Sequence, residues 1–130
     1  MSEAKTILIV EDDEDVVRGM ELRLHTAGYR TLVAHTAESG MLAARAQHPE
    51  AIVMDVRMED RSGLEAVEEL KGDKETEHIP IVMLSGCVNS QQQALEKGAR
   101  FFLRKPYRGN EVLTAVKAAI EESYQASMST

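Results

Sequence analysis

Five short apolar runs recur along the chain, Thr6–Val10, Arg30–Ala34, Ala51–Asp55, Ile81–Ser85 and Phe101–Arg104, and an amphipathic stretch follows each. The runs are β-branched or aliphatic and mostly do not alternate, as expected of strands buried on both faces. Between them, Glu14–Ala27 places Val17, Met20, Leu22 and Leu24 near helical spacing, with Gly28 as a stop. Thr36 caps a predicted helix through Ala46, and Pro49 marks the break beyond it. Leu64, Val67 and Leu70 form a stripe ending at Gly72, and Ser90 is read as the cap of a short helix to Lys97, stopped by Gly98. Val112, Leu113, Val116, Ala119 and Ile120 form the last stripe. Strand and helix alternate five times, which implies a parallel sheet with helices on both faces. Right-handed crossovers make that a doubly wound α/β fold.

The chemistry gathers where the runs end. Glu11 and Asp12 follow the first run, Asp55 closes the third, Ser85 closes the fourth, and Lys105 follows the fifth. In doubly wound sheets the working site lies at the carboxyl ends of the strands, where strand order switches. Carboxylates packed together repel one another and cannot all stay ionised alone. A hard divalent cation among them relieves this. The pattern therefore points to an oxygen-ligand magnesium site with one carboxylate placed for chemistry. Asp13, Glu14 and Asp15 are read as an ordinary acidic helix start.

A length of 130 residues suits one domain with a real core. The net charge of −7 argues against a general nucleic-acid binder. Cys87 is the single cysteine, so no internal disulfide forms, which fits a reducing compartment. No apolar stretch reaches a membrane span, and Met-Ser-Glu-Ala-Lys has no signal-peptide core, so a cytoplasmic location is expected. His25, His35, His48 and His78 lack ligand-like spacing. The tail from about residue 123 is expected to fray.

Four stretches carry a resemblance: Ile7-Leu8-Ile9-Val10-Glu11-Asp12-Asp13; Val53-Met54-Asp55 through Met58 to Gly63; Ile79-Pro80 through Ser85-Gly86; and Gly98 through Phe101-Phe102-Leu103-Arg104-Lys105-Pro106. Together they resemble the receiver domain of bacterial two-component response regulators over residues 5 to 124. The resemblance implies a single flavodoxin-like (βα)5 domain across residues 1–130, its sheet in the order 2-1-3-4-5. It implies Asp55 as phospho-acceptor, which suits a carboxylate that attacks phosphorus and holds an acyl phosphate. It implies Mg2+ held directly by Asp12, through water by Glu11, and by Asp55 and the backbone carbonyl of Arg57. Lys105, aimed by a cis bond to Pro106, would reach the phosphoryl oxygens. Ser85 would donate its hydroxyl to the attached group, and Phe102 would turn inward in response, with Phe101 as the competing aromatic.

The partners implied are a sensor histidine kinase or a histidine phosphotransfer protein, then a downstream protein, with neither nucleic acid nor membrane bound directly. The chain is expected to stand alone and to catalyse only its own phosphotransfer and autodephosphorylation. The alternatives are an interaction module that uses the fold without phosphorylation, and a phosphohydrolase with Asp55 as nucleophile. Arg57 argues against the hydrolase, because dehalogenase-type enzymes carry a second acid at that position. The chain departs from the family pattern at Glu59, where proline is common. Arg57 and Cys87 occupy positions that tune phosphoryl lifetime in the family. The segment between Ser85 and Lys105 is short, which trims the fourth helix or the loop entering it.

Overall fold

The five apolar runs become strands with the expected bounds: β1 Thr6–Val10, β2 Arg30–Ala34, β3 Ala51–Asp55, β4 Ile81–Ser85 and β5 Phe101–Arg104. Helices α1 Glu14–Thr26, α2 Ala37–Gln47, α3 Gly63–Lys71, α4 Ser90–Glu96 and α5 Glu111–Met128 follow them in turn. The computed structural model describes residues 4–87 and 89–128.

All strands pair in parallel, in the order β2-β1-β3-β4-β5. Successive side chains of a strand face opposite ways, so each strand feeds two cores. Leu8, Val10, Ile52, Met54, Ile81 and Met83 pack on one side with residues of α2, α3 and α4. Ile7, Ile9, Val53, Val82 and Leu84 pack on the other with α1 and α5. This is why the strands read as continuous apolar runs. The order turns at β1, so β1 and β3 lie side by side, with Val10 level with Met54. The residues just beyond them, Glu11 and Asp55, are thereby brought to one edge.

The helix ends follow local chemistry. Asp13 caps α1, its carboxylate accepting from Asp15 N and Val16 N, so the acidic run read as a helix start begins with the cap itself and continues with Glu14 and Asp15 in the first turn. Thr36 and Ser39 form a capping box on α2, and Ser62 caps α3 through Leu64 N. Two expectations need correction. Asn89, not Ser90, occupies the N-cap of α4, and it makes no side-chain cap bond. The helix spans only seven residues, in line with the short segment noted in the sequence. The expected fraying after Glu122 gives way to helix as far as Met128. No glycine or proline follows Gly109, so nothing in the chain stops that helix earlier. Ser129 and Thr130 lie outside the described residues.

Candidate functional site

Asp55 closes β3 and is only 4% exposed. Burying a carboxylate is costly unless it is paired and hydrogen-bonded, and here both conditions are met. Oδ1 accepts from Arg57 N at 2.9 Å. Oδ2 forms an ion pair with Nζ of Lys105. Lys105 is placed by β5 and by its own N–H, which donates to Ser85 O at 2.8 Å. Its bond to Pro106 is cis, as the resemblance implied. Burial alone would lower the Lys105 pKa. The hydrogen bond and charge of Asp55, with the charge of Glu11, outweigh that and raise it.

Glu11 follows β1 and is 3% exposed. Its backbone N–H donates to Ala34 O at 3.0 Å, and its Oε2 accepts from Asp13 N at 3.0 Å. Its Oε1 has no partner, the one buried side-chain polar atom of that kind among the described residues. Burial pushes the Glu11 carboxyl up to about 7, against the pull of the Asp13 N–H. Burial is the main cause, and contacts with the Asp12 and Asp55 carboxyls make up a smaller part of that rise.

Glu11, Asp12, Asp55, Arg57, Ser85 and Lys105 all line one cleft of about 1060 Å³, with Cys87 on its wall. Ser85 is buried, and its Oγ accepts from Cys87 N at 3.0 Å. Asp12 and the Arg57 side chain are exposed. The structure thus gathers every candidate except Phe102 into one cleft. Phe102 stands apart on β5, level with Met83, and packs against the side of the sheet covered by α2, α3 and α4. Phe101 faces the opposite core, with the Arg100 guanidinium 5.6 Å from its ring centre.

The donors suit a hard cation in kind, since carboxylate oxygens and water satisfy Mg2+. The unpartnered, deeply buried Oε1 of Glu11 is an observation in favour of such a fit. Among the described residues, however, no three acidic, histidine or cysteine side chains converge as a complete cage. The Lys105 ammonium already neutralises part of the charge. Magnesium keeps several waters and takes only one or two carboxylates, so a partial protein shell remains compatible with it.

Sequence reading missed two residues near the cleft. Tyr107 follows Lys105-Pro106 and packs into the α1 and α5 core. Burial raises its pKa; Lys105 pulls it down, and Glu11 and Asp55 push it up, so it feels the charges of the site. Its place just past the Lys-Pro pair was the available signal. Asp60 gave no signal, because its partners lie on another element.

The model of the response regulator receiver domain matches residues 7–117 of the chain. The chain belongs to the receiver family. Its relatives include the phosphate regulon transcriptional regulatory protein PhoB of Pseudomonas aeruginosa, 32% identical over 121 residues, covering 92% of this chain and 53% of that protein. The receiver spans about half the length of the curated relatives it first matches. Among solved structures, a putative response regulator from Chloroflexus aurantiacus superposes with a TM-score of 0.87 at 29% identity, covering 92% of this chain and 99% of that one. The receiver domain of a sensor histidine kinase from Pseudomonas aeruginosa superposes with a TM-score of 0.82 at 25% identity, covering 91% and 98%. That structure has a magnesium ion coordinated in its active-site cleft. The receiver fold with strand order 2-1-3-4-5 is therefore what the sequence led one to expect. Among the described residues, no helix is long and apolar enough to cross a membrane.

Proposed function

We propose that this receiver accepts a phosphoryl group on Asp55 from a phosphohistidine of a sensor kinase or a phosphotransfer protein. The observation that carries the reading is a buried carboxylate in an open cleft, paired with one ammonium and flanked by a second buried carboxylate that has one oxygen without a hydrogen-bond partner. Oδ1 or Oδ2 of Asp55 attacks phosphorus, the bond to the donor imidazole breaks, and an acyl phosphate remains. Lys105 shifts its ion pair from the carboxylate to the new phosphoryl oxygens. Ser85, with its hydroxyl on the cleft wall, donates to one of them. Phosphoryl transfer rests mainly on positioning and charge neutralisation, so these two groups and a cation supply most of what is required.

Asp12, Asp55 and the backbone carbonyl of Arg57, with Glu11 acting through water, are the groups that would hold Mg2+. Bound there, the ion would supply positive charge against the crowded carboxylates and phosphoryl oxygens. Phe102 is the aromatic expected to respond, because it alone of the two phenylalanines packs on the side where α4 lies. A change of its packing would alter the face of α4 and β5 presented to a downstream protein. We place this signalling in the cytoplasm, with no direct binding of nucleic acid or membrane by this domain.

Phosphoramidate tests the reading, since its P–N bond mimics phosphohistidine. The parent chain should incorporate phosphoryl with Mg2+ and fail with a chelator, and Asp55→Asn should fail in both. Equal labelling of the Asp55→Asn chain would exclude Asp55.

A further inference from the structure

The loop that follows Asp55 is held by a side chain whose partners lie on a different element. Oδ1 of Asp60 accepts from Ala37 N and Oδ2 from Glu38 N, each at 2.9 Å. These are the first two residues of α2. The opening N–H groups of a helix have no intrahelical carbonyl to reach. On α2 the next two are met locally, Ser39 N by the Thr36 hydroxyl and Gly40 N by Thr36 O. Asp60 supplies the rest from 22 and 23 residues away. A carboxylate is favoured there by both N–H groups and helix dipole. The Glu38 and Ala37 N–H groups hold the Asp60 carboxyl below its ordinary value.

Because Thr36 and Ser39 already form a capping box, α2 has a start signal of its own. The loop has less. Between Asp55 and α3 its own backbone ties are Gly63 N to Val56 O and a single bridge between Arg57 and Ser62. Arg61, beside Asp60, reaches the same helix at Glu38 and also pairs with Glu65 and Glu69 of α3. The start of α2 is in turn fixed to the far side of the cleft. It leaves β2 at Ala34, whose carbonyl accepts from Glu11 N. Asp60 thus closes a chain of contacts from Glu11, through Ala34 and the head of α2, to the loop bearing Arg57.

We propose that Asp60 is a positioning residue that sets the divalent-cation affinity of the cleft by fixing the loop after Asp55 relative to Glu11. It rests on the site reading given under the proposed function. Asp60 touches neither cation nor phosphoryl group; it acts through the place it gives to Arg57. No comparable tie follows from the Asp60 position in sequence, since it depends on where α2 begins.

Isothermal titration with Mg2+ alone tests this, on the parent chain, Asp60→Ala, Asp60→Asn and Thr36→Ala. Asp60→Ala should melt lower, as Thr36→Ala does, because two N–H groups of α2 lose their acceptor, and should in addition bind Mg2+ about five- to tenfold more weakly. Asp60→Asn, whose amide oxygen still accepts one N–H, should fall between it and the parent. Thr36→Ala should melt lower, having lost the local cap, yet bind Mg2+ within about twofold of the parent. That split separates positioning from simple helix stability. Parent-like affinity in Asp60→Ala, or equal weakening in Thr36→Ala, overturns the role of Asp60 and leaves the site reading intact. A parent chain that does not bind Mg2+ overturns both.

Discussion

At the scale of single residues, the pairing of Asp55 with Lys105 decides how the site behaves at rest. Asp55 is nearly fully buried, whereas the Lys105 side chain is 36% exposed. Removing the ammonium in Lys105→Met leaves a buried carboxylate uncompensated. We expect a loss of about 2 kcal/mol in unfolding free energy without metal, below the figure for a fully buried pair because solvent screens Lys105. Chemical denaturation measures it, and an unchanged midpoint would count against the pairing as a stabilising contact. Glu11 gives a second expectation. Its folded pKa of about 7 lies above its ordinary value of 4.5. The fold therefore favours the protonated form. The stability this contributes is full below about 4.5, declines as pH rises, and is gone once pH passes about 7. Mg2+ favours the ionised form, so it should raise the melting temperature more at about pH 8 than at about pH 5. Melting curves with and without Mg2+ at the two pH values check this, and a larger Mg2+ effect at the acidic value would contradict it.

At the scale of elements, most of what the sequence displayed was local, and what it hid was long-range. The strands, the acidic start of α1 and the cap at Thr36 were legible because their signals, apolar runs and acceptor side chains, act within a few residues. The N-cap of α4 was misread because Ser90 and Asn89 are both cap formers, and no side-chain bond there favours either. Fraying of α5 was inferred from composition, but no breaker interrupts it. Asp60 stayed hidden because its partners belong to α2. Gly63 was only a motif position in sequence, and the fold gives its reason. A Cβ there would collide with the backbone oxygen of Asp55 and lie 3.0 Å from Cα of Val56 and 3.1 Å from Cε of Met83. Backbone cannot yield as a flexible side chain does. Gly63→Ala should therefore cost about 2 kcal/mol or more and shift the acceptor as well. Parent-like stability together with parent-like phosphorylation would show that the loop absorbs the extra methyl.

At the scale of the whole molecule, strand order is what turns separate sequence motifs into a site. Glu11 and Asp55 are far apart in the chain and become neighbours only because β1 lies beside β3. Lys105 arrives from the edge strand two places away, carried past Ser85 by the β4 and β5 pairing. Alternation of strands and helices made the doubly wound class readable, and the family resemblance supplied the order. The facing of Phe101 and Phe102 needed coordinates, because a four-residue strand offers too short a pattern to say which aromatic joins which core. The central claim is that this geometry makes Asp55 the acceptor. The most direct measurement treats the chain with phosphoramidate and Mg2+, traps any acyl phosphate with borohydride, and maps the reduced residue by peptide mass spectrometry. Reduction at Asp55 alone is the predicted result; reduction at Asp12 or Glu11 with Asp55 unmodified would contradict it.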